Sequence, residues 1–105
     1  MRIELPPTEI APDEKVTIAL SAPEDGEVRK LVLDPPDAVV VYTVRAHSVE
    51  RGLGREMLSL ASPGAIFAET VPTTLRSSKL QTGETLALIV RNVTRETIRL
   101  TGWFE

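Results

Sequence analysis

Apolar and polar residues alternate with a period of two over several short stretches of this chain, the spacing of strands that bury one face. Val16, Ile18 and Leu20 alternate with Lys15, Thr17 and Ala19, and Leu86, Leu88 and Val90 alternate with Thr85, Ala87, Ile89 and Arg91. A following strand begins near Glu96, with Ile98, Leu100, Gly102 and Phe104 on one face and Thr97, Arg99, Thr101 and Trp103 on the other. These last two segments predict a hairpin in which Val90 pairs with Ile98 and Leu88 with Leu100. Pairing Asn92 with Glu96 would leave Val93-Thr94-Arg95 as the connection.

Other segments have a less regular phase. In Glu27 to Leu33, Val28 and Val32 lie on one face and Leu31 and Leu33 on the other, so either both faces are covered or a bulge falls near Arg29-Lys30. Over Ala38 to Ala46, Ala38, Val40, Tyr42 and Val44 alternate with Val39, Val41 and Thr43, a two-sided apolarity that predicts a central strand covered on both faces. The stretch from Arg55 to Ala61 fits a helical stripe of Leu53, Met57, Leu60 and Ala61, or a strand through Leu58 and Leu60. Its strand neighbours favour the strand. Ala65 to Val71 reads as a further strand, and Leu75 and Leu80 are expected to pin the polar stretch that follows.

Composition supports strands: valine, isoleucine and threonine make up 28 of 105 residues. The eight prolines fall between the apolar segments, as a missing N–H and a fixed φ require. Residues 1–12 hold three of them around Ile3, Leu5 and Ile10 and read as an N-terminal arm or edge segment. Residues 13–105 read as a single domain. The expected fold is all-β, a compact β-sandwich of about seven or eight short strands, with a jelly roll as one arrangement. Turns are expected at Ser21 to Gly26 and Gln81 to Glu84.

Charge and chemistry narrow the function classes. Twelve basic and fifteen acidic residues leave a formal charge of −3, which disfavours nucleic acid. With no cysteine, disulfides and thiolate chemistry are excluded. No apolar run is long enough to span a bilayer, and Met1-Arg2-Ile3-Glu4 lacks the apolar core of a signal peptide, so a soluble chain without a visible address is expected. His47 is the only histidine; a metal centre on it would need carboxylates gathered by the fold. Asp34, Asp37 and Glu50 would have to converge to act as acid and base.

No Gly-x-Ser-x-Gly elbow or phosphate loop occurs, and Gly52-Leu53-Gly54 lacks the rest of a dinucleotide fingerprint. Arg51-Gly52-Leu53-Gly54-Arg55 reads as a solvated turn before it reads as an anion contact. Asn92-Val93-Thr94 fits the glycan-acceptor pattern but sits at an expected turn. Arg91, Arg95 and Arg99 are interrupted by Glu96 and lack interleaved aromatics, so an RNA-binding sheet is disfavoured. No catalytic residue, cofactor or metal is expected, and the chain does not read as an enzyme.

The run from Leu80 to Thr94, LQTGETLALIVRNVT, followed by Ile98-Arg99-Leu100-Thr101-Gly102-Trp103-Phe104, resembles the closing strands of small β-sandwich structural proteins of bacterial virus particles. The likeness covers about a quarter of the chain. It implies a sandwich architecture and, for the location, a virion. Similar runs occur in extracellular adhesive and carbohydrate-binding sandwiches.

The expected function is a non-enzymatic structural or assembly protein that contacts copies of itself or other structural subunits. Strand edges, the N-terminal arm (Ile3, Leu5) and the face around Trp103 (Arg99, Thr101, Trp103, with Phe104) are the interface candidates. The alternative is a carbohydrate- or peptide-binding module using loops at Asp34 to Asp37, His47 to Arg55 and Ser77 to Gln81. A small carboxylate-based enzyme comes third.

Overall fold

The computed structural model describes residues 1–48, 53–58, 60–71, 73, 75–76 and 78–105. In chain order its strands are β1 (Ile3–Glu4), β2 (Thr8–Ile10), β3 (Lys15–Ser21), β4 (Gly26–Val28), β5 (Leu31–Asp34), β6 (Val39–Ser48), β7 (Leu53–Leu58), β8 (Ser62–Pro63), β9 (Ser78–Leu80), β10 (Thr85–Asn92) and β11 (Ile98–Phe104). Two 3₁₀ turns, Pro36–Ala38 and Gly64–Phe67, are the helical elements among the described residues. The segments outnumber the expected seven or eight because residues 1–12 supply two short strands, the stretch around Arg29-Lys30 divides into two, and β8 and β9 are added, while Ala65 to Val71 supplies none.

All pairings are antiparallel. One sheet is built on β11, which β1 and β2 flank on one side and β5 on the other; the larger sheet runs β3-β10-β6-β7, with β8 also on β6. A third pair joins β4 to β9. The two sheets share one core: Ile3, Leu5, Ile10, Leu31, Leu33, Leu100 and Phe104 from the smaller sheet meet Ile18, Val39, Val41, Val44, Ala46, Leu86, Leu88 and Val90 from the larger. Burying each large side chain here contributes about 1.5–3 kcal/mol. The fold is therefore an all-β sandwich, and the strand at 53–58 settles the helix-or-strand ambiguity in favour of the strand.

The expected hairpin between Leu86 and Phe104 does not form. β10 pairs with β3 and β6, while β11 pairs with β1, β2 and β5 in the opposite sheet. Residues 93–97 therefore arch across the core, and Leu88 and Leu100 enter it from opposite sheets instead of lying side by side. Alternation demands only that both apolar rows point inward, which a hairpin and an arch satisfy equally.

Asn92 makes this corner. Its side chain is fully buried, and Nδ2 donates to Ile10 O at 2.9 Å and Glu96 O at 2.7 Å, while Oδ1 accepts from Thr94 N at 2.8 Å. Both amide protons are spent, so the nitrogen a glycan would need is occupied inside the fold.

Three more expectations are corrected. First, the uniform alternation expected through β6 breaks at a bulge: Ile89 pairs with Thr43 but Val90 with Val41, leaving Tyr42 as the extra residue. Val39 and Val41 point inward before it, Val44 and Ala46 after it. The two-sided apolarity of this segment is thus a change of phase. β6 is central, but its outer face carries Arg45 and His47, both exposed.

Second, Ala65 to Val71 is no strand. Gly64 packs so tightly on the preceding turn that a Cβ there would lie 2.2 Å from Pro36 O, and the chain coils to bury Phe67. Third, Glu27 to Leu33 is two strands. Arg29 N and Lys30 N both donate to Glu105 O, which ends β4 before β5 begins. Leu31, Val32 and Leu33 are all buried, so β5 is covered on both faces.

The Asn92 corner gives a stability prediction. Asn92→Ala strands the buried Ile10 carbonyl and the part-buried Thr94 N–H and removes one of two donors to Glu96 O, and is expected to cost about 2–4 kcal/mol in denaturant unfolding. A change below about 0.5 kcal/mol would show that water can replace the carboxamide at the corner.

Candidate functional site

Of the interface candidates, Ile3, Leu5 and Phe104 are buried in the chain's own core. Arg99, Thr101 and Trp103 form the outward row of β11, where Arg99 lies opposite Glu9 and Trp103 opposite Glu4 on one side and Val32 on the other. The Arg2 guanidinium stacks 4.0 Å from the Trp103 ring centroid. The enclosed indole N–H finds no hydrogen-bond partner among the described residues. Beside the ring lies a cleft of about 360 Å³ lined by Val32, Asp34, Glu69, Thr70, Thr101 and Trp103.

A wider cleft of about 670 Å³ opens where β4 and β9 meet the turn after β9, with Asp25, Glu27, Lys79, Gln81 and Glu84 on its walls. Asp25 accepts from Thr82 N at 2.8 Å and from Thr82 Oγ1 at 3.0 Å. The backbone bond first, then the hydroxyl, hold its carboxyl below the usual carboxylate range. The turn that supplies these donors depends on Gly83 at φ +86°, a conformation glycine adopts without strain.

The other sequence candidates do not converge. His47 is exposed on β6 opposite Thr85 and Gly54. Asp34 closes β5 and Asp37 sits in the first 3₁₀ turn; Glu50, Arg51 and Gly52 lie outside the described residues. No group of three or more histidines, aspartates or glutamates that could hold a metal ion occurs among the described residues. Arg91 and Arg99 point outward from opposite sheets, so they do not share a patch. No helix among the described residues is long and apolar enough to cross a membrane.

The feature that sequence reasoning missed is the free edge of β3. This seven-residue strand ends the larger sheet, and no described strand pairs with its other side. Asn92 N donates to Glu14 O and Ala22 N to Glu84 O, so the even-numbered residues bond to β10. The N–H and C=O groups of Lys15, Thr17, Ala19 and Ser21 therefore point away from the sheet.

Two other edges are interrupted. Met57 O on β7 accepts from Arg76 N, and Pro6-Pro7 separates β1 from β2. Lys15 is the only charge in β3, and its ammonium leans inward, 4.7 Å from the Tyr42 ring centroid. The usual charged guard of an exposed edge is turned away from it.

The chain matches no protein-family model, no curated protein and no solved structure.

The Asp25 geometry carries a pH prediction. A carboxyl with a lowered folded pKa favours the closed turn above its unfolded value, and that contribution is lost as pH falls through the lowered folded value. Thr82→Val removes the hydroxyl donor. The Asp25 midpoint, followed by side-chain carboxyl NMR, should rise toward the ordinary value of about 3.9; an unmoved midpoint would assign the shift to the backbone bond alone.

Proposed function

We propose that this protein is a non-enzymatic assembly subunit that joins strands from copies of itself or from other structural subunits to its own sheet. The observation that carries this reading is the open edge of β3, seven residues long, free of proline and unguarded by its lysine. An edge of this kind presents a row of unpaired backbone donors and acceptors whose natural complement is another strand. The rigid sandwich behind it keeps the row straight, so a partner meets a preformed template and loses little conformational entropy on the host side. No reacting group is required. The likeness of residues 80–104 to the closing strands of virus-particle sandwiches supports the same reading.

Light-scattering mass measured from about 10 μM to about 1 mM tests it. The mass should rise above the 11.5 kDa of one chain. A single-chain mass across the whole range would overturn self-assembly.

A second reading, a carbohydrate- or peptide-binding module, draws on the Trp103 cleft. There the indole, two carboxylates and two threonines meet in one recess, the mixture of apolar platform and polar groups that small-ligand sites use. Trp103 is the only tryptophan, so its emission reports on that cleft alone. Titration with a panel of oligosaccharides and short basic peptides should shift it for one class; an unchanged spectrum throughout would remove this reading.

A further inference from the structure

Resting on the assembly reading, we infer that the occupant of the β3 edge is β3 of a second copy, antiparallel, about a two-fold axis at Ile18. Ile18 is the midpoint of Lys15–Ser21, so this axis pairs the whole strand. Thr17 then lies opposite Ala19 of the second copy, and Lys15 opposite its Ser21. These are the residues whose N–H and C=O groups point outward, as the hydrogen-bonded positions of an antiparallel ladder require. An axis one residue to either side would leave two end residues of each strand unpaired.

Side chains select the same arrangement. On the core-facing side, Ile18 is buried at 5% exposure, but Val16 and Leu20 pack against the core while only partly buried. The two-fold sets Val16 of one copy opposite Leu20 of the other, so each covers the apolar surface its partner leaves to water. On the outer face, Thr17 and Ala19 are small and uncharged, and the one charge of the strand meets a serine. No like charges oppose one another. Partner strands of other sequence would have to reproduce both the neutral outer row and the two partly covered apolar positions; this strand already does so for itself. The larger sheets of the two copies become continuous across the axis.

Hydrogen exchange followed residue by residue, at protein concentrations below and above the association midpoint, tests the inference on the unmodified chain. The Thr17 and Ala19 amides should exchange freely in the dilute sample and become protected, by at least about tenfold, in the concentrated one. The Ile18 amide, bonded to β10, should be protected in both and serves as the internal control. As a second measurement, Ala19→Pro removes an outward N–H without touching the β10 ladder, and should weaken association at least about tenfold while circular dichroism stays unchanged.

A mass above one chain with Thr17 and Ala19 exchanging equally at both concentrations would overturn this pairing and leave the assembly reading standing. A single-chain mass throughout would overturn this pairing and self-assembly with it, leaving only the joining of other subunits from the assembly reading.

Discussion

The carboxamide of Asn92 is the interaction on which the arrangement of the two sheets depends. A chain that leaves one sheet of a sandwich and enters the other has to turn through the edge of the core, where backbone polar groups lose water. Here those groups include the carbonyls of Ile10 and Glu96 and the N–H of Thr94, and one side chain with two donors and an acceptor satisfies all three. Aspartate offers no donor in its ionised form, and alanine offers nothing. Because Ile10 lies on β2 of the smaller sheet and Asn92 ends β10 of the larger, this contact ties the sheets together. The backbone around it adds Asn92 N to Glu14 O and Val93 N to Ala38 O, which bring the starts of β3 and β6 to the same place.

What could be read from the sequence was what a side-chain pattern records. Leu86, Leu88 and Val90 point inward as their alternation demands, as do Leu100, Gly102 and Phe104, and Leu75 and Leu80 do anchor the polar stretch between them. Pairing is a backbone property, and the pattern is silent about it. The same inward rows serve a hairpin and an arch, so the residues on either side of Asn92 gave no warning that their strands belong to different sheets. The buried polar residue at the corner was itself a visible signal, since Asn92 continues the apolar phase of Leu88 and Val90. Read as a turn residue, it disguised the crossing.

The surfaces were legible to different degrees. Trp103 was recognisable as an outward aromatic from its place opposite the Leu100 and Phe104 row, but Ile3 and Leu5 could not be separated from core residues while the partner of the first strands was unknown. Both ends of residues 1–12 pair with β11, and that pairing buries them. The edge position of β3 was not legible at all. Strand order depends on which strands meet across the sheet, and nothing within Lys15–Ser21 distinguishes an edge from an interior strand except the poverty of its charges.

Tyr42, the extra residue of the β6 bulge, connects this hidden order to the free edge. One extra residue between Thr43 and Val41 reverses the phase of the strand, so that Val44 and Ala46 return to the core while Tyr42 stays on the outer face, where the Lys15 ammonium and, at 5.9 Å, the Arg91 guanidinium gather over its ring. A cation over an exposed aromatic is worth about 0.5–1 kcal/mol, small against the stability of the domain but enough to bias the rotamers of a flexible lysine. The Arg91 contact to Asp13 at 3.6 Å holds the second cation on the same side of the strand. Thus a ring two strands away, on the outer face of β6, draws the edge's only charge inward over the sheet and holds the lysine off the β3 edge.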